Sequence, residues 1–177
     1  MSKARVATMW LDGCSGCHMS FLDTDERLLD LAGKMDLVFS PIVDIKEFPD
    51  NVDITLVEGA VGNEEDLEKI RKAREKSRIL VSLGDCAVTA NVPAMRNPFG
   101  VQAVLQRAYV ENATVQPGPP ARGVPTLLPS SRPLHEAVAI DFFVPGCPPS
   151  ADVIYYVLSE LLEGRKPNLS DKSRFGA

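Results

Sequence analysis

The chain is poor in aromatic residues, with one tryptophan, and holds only two histidines in 177 residues. It has no surplus of positive charge: 19 Lys and Arg stand against 24 Asp and Glu, a net charge of −5. Nucleic-acid binding by phosphate neutralisation needs a basic excess, so that class of partner is excluded. The one basic run, Lys69 to Arg78, is interleaved with Glu75 at helical spacing, the pattern of a solvated helix face. No apolar run approaches the roughly 20 residues that a membrane span needs. The opening "MSKARVATMWLDGC" lacks the apolar core and cleavage site of a secretory leader, and no twin-arginine pair is present. Also missing are a Gly-x-Ser-x-Gly elbow, a phosphate loop and a Gly-x-Gly-x-x-Gly fingerprint, so no hydrolytic or dinucleotide machinery is visible. Together these features predict a cytoplasmic protein without a membrane span. In that compartment, four cysteines suit metal ligation or redox chemistry better than structural disulfides.

A chain of this length suits one domain, here taken as residues 1–177. Short apolar runs alternate with helical patterns. Strands are expected at 6–11, 36–42, 52–59, 78–86 and 137–147. One helix follows the CSGC turn, and another starts at Asn63 with Glu64, Glu65 and Asp66 in its first turn. A third helical piece lies near 98–110. A closing helix spans 149–164, with prolines at its start and Gly164 at its end. This alternation predicts an α/β fold: a flavodoxin-like open parallel sheet, helices on both faces, strand order 2-1-3-4-5. Residues 111–133 hold six of the fourteen prolines and read as a surface loop. Residues 165–177 read as an extended tail.

Cys14, Cys17, Cys86 and Cys147 are the only cysteines. The first two follow the first expected strand, Cys86 ends the fourth and Cys147 ends the fifth. In an open parallel sheet those strand ends share one edge, where ligands bind. Four thiols from distant parts of the chain are thus expected at one rim. They could hold an iron–sulfur cubane or zinc, or the close pair could act as a redox disulfide. Structural zinc favours two close pairs. Here one pair is close and two cysteines are single, a pattern that favours a cluster. Gly13, Gly16, Gly84 and Gly146 each lie within two residues of a cysteine, where backbone N–H groups can approach sulfur. Pro148 follows Cys147 and opens the last helix, whose positive end would face an anionic thiolate shell.

The segments "WLDGCSGCHMSFLD", "LVEGAV", "LGDCAVTANVPAMRNP" and "FFVPGCPPSADVI" together resemble the small subunit of nickel–iron hydrogenases. The likeness is strongest to the small subunit of the cytoplasmic, NAD-reducing (bidirectional) enzymes and runs from about residue 5 to 165. It implies that Cys14, Cys17, Cys86 and Cys147 ligate one proximal 4Fe–4S cluster. It implies two kinds of partner: a large subunit carrying the nickel–iron site, and diaphorase subunits that carry flavin and further clusters and reduce NAD. Four cysteines allow one cubane and no more, so the electron must pass to another subunit close by. Where many relatives place a carboxylate after the CxxC pair, this chain has His18, Met19 and Ser20. A related alternative is the cluster-bearing, quinone-side subunit of a complex I-like NADH dehydrogenase. Such subunits carry two adjacent cysteines in place of the spaced CSGC pair. A zinc-stabilised interaction module is the alternative from another class. The strand rim is also where flavodoxin-like folds bind FMN, which remains a minor candidate.

Glu58, at the end of the third strand, reads either as a polar contact near the cluster or as a cap on the Gly59 turn. Asp85 reads first as a cap on the next helix. His18 would contact a cluster sulfur or line a subunit interface, and Trp10 would pack on the first helix. His135 reads as a loop residue.

Overall fold

The segment VDITLVE (Val52–Glu58) is almost wholly buried, because helices cover both faces of the sheet to which it belongs. The protein is described by a computed structural model over residues 3–173. Strand β1 (Ala4–Trp10) leads into α1 (Gly16–Leu22) and α2 (Arg27–Lys34), then β2 (Met35–Phe39), β3 (Val52–Glu58) and β4 (Val61–Asn63). Helix α3 (Glu64–Lys76) is followed by β5 (Ser77–Leu83), α4 (Asp85–Thr89), α5 (Val101–Gln106), β6 (Leu127–Arg132), β7 (Phe142–Val144) and α6 (Ala151–Leu162).

Strands β2-β1-β3-β5-β7 form one parallel sheet in that order, which is 2-1-3-4-5 when only its own strands are counted. On one face, Val6, Ile54, Leu56 and Val81 pack with Phe21 of α1, Leu31 of α2 and Ile154, Val157 and Leu158 of α6. On the other, Ala7, Met9, Val57 and Leu80 pack with Ile70 and Ala73 of α3. Each fully buried Val, Leu or Ile contributes about 1.5–3 kcal/mol. Helix α3 starts as its sequence indicates: the Asn63 side chain accepts from Asp66 N, and acids fill the first turn. Four of its basic residues are paired, Lys69 with Glu65, Lys72 with Glu47, Arg74 with Asp141 and Lys76 with Asp50.

Three expectations need correction. Residues 127–132, inside the expected 111–133 loop, form β6, which pairs antiparallel with β4. Pro129 can sit there because the ladder is a two-stranded edge with a register shift. The Ser131 N–H is taken by the Asn97 side chain instead of a strand. The expected strand 137–147 is only Phe142–Val144. Before it, Asp141 turns its carboxylate onto Leu80 N (2.7 Å) and Arg74 Nη1 (2.5 Å), which closes the sheet edge with side-chain bonds. The tail is not extended throughout: Asn168 N donates to Tyr156 Oη, and Ser173 Oγ donates to Pro145 O. Its last residues, 174–177, lie outside the described residues.

Candidate metal centre

Sheet register builds the site. Trp10 pairs with Glu58, Glu58 with Leu83, and Leu83 with Val144, so the C-terminal ends of four parallel strands form one row. The loops beyond that row carry every cysteine. Cys14 lies between β1 and α1, Cys17 in the first turn of α1, Cys86 in the first turn of α4, and Cys147 between β7 and α6. All four line one pocket, together with Gly13, Gly16, Glu58, Gly59, Asp85, Gly146 and Pro148. Cys14 and Cys147 are exposed, whereas Cys17 and Cys86 are partly covered.

Close packing of loops on sulfur explains a glycine. Gly84 has φ +83°, and a Cβ there would stand 2.2 Å from Cys17 Sγ. Gly13, Gly16, Gly146 and Pro148 also line the pocket. Donors reach the thiols as well. Gly16 N donates to Cys14 Sγ at 3.4 Å, and Asn91 Nδ2 to Cys147 Sγ at 3.7 Å.

Burial pushes the Cys17 thiol well above its ordinary value, and the charges of Glu58, Cys86, Cys14 and Cys147 add to this. Cys86 is raised as well, chiefly by burial. Four thiolates cannot share this pocket unless a cationic group neutralises them. The donor set therefore fits a metal group better than free thiolates. Among the described residues, no three His, Cys, Asp or Glu are arranged to hold a metal ion. One tetrahedral zinc would need thiolate sulfurs about 3.8 Å apart around bonds of about 2.3 Å. A cubane, with one thiolate on each iron, takes sulfurs spread around a wider space.

Asp85 does more than the sequence suggested. It is buried, and its carboxylate crosses to the neighbouring loop, where Oδ1 accepts from Gly146 N at 2.7 Å. Asp85 N donates back to Gly146 O at 2.8 Å. The loops of Cys86 and Cys147 are thus locked together, and the cap position of α4 falls to Gly84. Glu58 is buried, lines the pocket, and accepts from His18 N at 2.7 Å, so it caps α1 from another strand. His18 is buried beside Trp10, ring centroids 6.2 Å apart. Its ring faces Thr8 and Glu58, and it does not line the cysteine pocket. Sequence reasoning missed Asn91, Gly59 and Asp12, whose backbone exchanges two hydrogen bonds with Ala60 just before the CSGC turn. His135 sits edge-on to Phe143 in a short turn, away from the cysteine pocket.

The family model described as NADH ubiquinone oxidoreductase, 20 Kd subunit, matches residues 14–161. The delta subunit of the NAD-reducing hydrogenase HoxS of Cupriavidus necator is 46% identical over 168 residues, 92% of this chain and 80% of that one. A subunit of the F420-non-reducing hydrogenase of Methanothermobacter marburgensis is 40% identical over 94% of this chain, which spans 56% of that protein. A crystal structure of an NAD+-reducing NiFe hydrogenase in the H2-reduced state contains a chain that superposes with TM-score 0.93 at 42% identity, over 98% of this chain and 99% of that one. A NiFeSe hydrogenase from Dm. baculatum, 21% identical with TM-score 0.62, shares the fold. No helix among the described residues is long and apolar enough to cross a membrane. The chain belongs to the family of the NADH ubiquinone oxidoreductase 20 Kd subunit, on the branch of the small subunits of NAD-reducing hydrogenases.

Proposed function

We propose that this chain is the electron-transfer small subunit of a soluble, cytoplasmic hydrogen:NAD+ oxidoreductase. Cys14, Cys17, Cys86 and Cys147 would hold one 4Fe–4S cluster, between the nickel–iron site of a large subunit and the diaphorase subunits. One observation carries this: four thiols from three separate strand ends line one pocket, in a chain 46% identical to a delta subunit of NAD-reducing hydrogenase. When bound, such a cluster supplies one-electron transfer at a potential set by charge, sulfur hydrogen bonds and exposure. Each of those levers has a residue here. Glu58 places a buried carboxyl group at the pocket wall. Gly16 N and Asn91 Nδ2 donate to sulfur. The Asp85–Gly146 bonds keep two ligand loops at fixed separation. Exposed Met95, Phe99 and Val92, on the segment after Cys86, leave an apolar rim for a partner subunit.

The test is metal and flavin analysis of the natively purified complex. About four irons on this chain, as one cubane requires, and a nickel-containing partner are expected. Zinc without iron would sink the cluster, and quinone-reducing partners without nickel would sink the hydrogenase. Flavin found on the separated small subunit would decide the question of FMN.

A further inference from the structure

A row of buried polar side chains lies beneath the cysteine pocket and supplies none of the four thiols. Ser40, Thr8, His18 and Glu58 are each at most 6% exposed. Thr8 Oγ1 donates to Ser40 Oγ at 2.8 Å, and His18 Nε2 lies 2.9 Å from Thr8 Oγ1. On the opposite ring edge, Nδ1 stands 3.0 Å from Glu58 Oε2. That contact is off the line of a hydrogen bond, so Nδ1 has no hydrogen-bond partner among the described residues. The backbone N–H of His18 donates to the same oxygen at 2.7 Å. Trp10 stacks on the ring from the next position along its face of β1. Burying this many polar groups is unfavourable unless they serve each other or a site.

Glu58 is where the row meets the cysteines. Its carboxylate lines their pocket, and its charge is the strongest influence on the Cys17 thiol after burial itself. A charge in such surroundings is poorly screened, so a small displacement changes what the pocket feels.

We propose that His18 is a positioning residue, which fixes the Glu58 carboxylate against the cysteine pocket and thereby sets the reduction potential of the group held there. Its backbone N–H and ring edge contact the carboxylate, while Thr8, Ser40 and Trp10 fix the ring. This rests on the cluster assignment above, and it concerns a residue that is not itself a ligand. Groups that orient or flank ligands commonly tune metal sites in this way.

The experiment is a potentiometric EPR titration of the purified native complex, wild type against His18→Leu, His18→Asn, Glu58→Gln and the double variant His18→Leu/Glu58→Gln. Leu fills the space without a polar edge, and Asn places an amide near the position of Nδ1. Glu58→Gln removes negative charge and raises the potential. His18→Leu moves the reduced-to-oxidised ratio at fixed ambient potential about tenfold in the same direction, ~59 mV for one electron, and alters the g-values of the reduced signal. His18→Asn restores most of both. In the Glu58→Gln background, His18→Leu adds nothing further, because its effect travels through the carboxylate. An iron-loaded His18→Leu complex with unchanged potential, or with the same shift in both backgrounds, overturns the positioning role alone. If that variant fails to assemble, His18→Gln replaces it under the same two criteria. A wild-type complex without a cubane signal overturns the cluster assignment and this inference together.

Discussion

Gly84→Ala puts the packing of loop on sulfur to a quantitative test. Gly84 has φ 83° and ψ 161°, a region that is essentially glycine-only and costs another residue about 1–3 kcal/mol. For a chain of this size, that lowers Tm by roughly 2–12 °C. The new methyl would lie 2.2 Å from Cys17 Sγ. Ordinary contact is roughly 3.5–4.0 Å, so the sulfur must retreat by about 1.5 Å. Metal–ligand distances tolerate only about 0.2 Å, so Cys17 is lost as a ligand. Gly100→Ala is the matched control. Gly100 has φ 76° and ψ 162°, but no atom lies within 4 Å of its would-be Cβ. Thermal unfolding followed by circular dichroism, with iron counted per chain, separates the two effects. Both variants lose similar stability, and only Gly84→Ala loses iron. Gly84→Ala with full iron, or Gly100→Ala with equal iron loss, would refute the reasoning.

Cys147→Ser is expected to lose or convert the cluster and to abolish hydrogen-dependent NAD reduction; retained activity would show that this cysteine is not a ligand. Asp85→Ala leaves the Gly146 N–H without its acceptor and costs about 1–3 kcal/mol in urea unfolding, while Asp85→Asn keeps an acceptor oxygen and recovers most of that. The Cys17 and Cys86 thiols are raised from an ordinary 9.0. Their native state therefore holds its protons more tightly than the unfolded chain, so the metal-free protein keeps this stability below pH 9 and loses it as pH rises further. Denaturation midpoints measured above pH 9 check that sign, and Cys17→Ser should flatten the slope.

The parallel sheet was legible because its strands are short, mainly apolar runs, and β1, β3, β5 and β7 are each followed within three residues by a glycine. Even the strand order emerged, since the chain alternates strand and helix with few detours. Strand β6 was not legible. Its sequence LLPSSR carries a proline and has only a two-stranded edge to join, so tertiary pairing overrode local preference. The four cysteines could be brought together from sequence because each follows a strand of the same sheet. Asp85 and His18 could not be assigned in that way. Asp85 bonds Gly146, 61 residues away, and His18 bonds Glu58, 40 residues away. Both partners become neighbours only through the register of β1, β3, β5 and β7. An aspartate at a strand end looks like a helix cap until its target is seen, and a lone histidine gives no sign of which groups will face it.

The most direct measurement is EPR spectroscopy with iron, zinc and nickel quantitation on the natively purified complex. A 4Fe–4S signal on reduction, about four irons on this chain and nickel in the partner subunit are the predicted result. Zinc on this chain with no iron and no EPR signal would contradict the account at its centre.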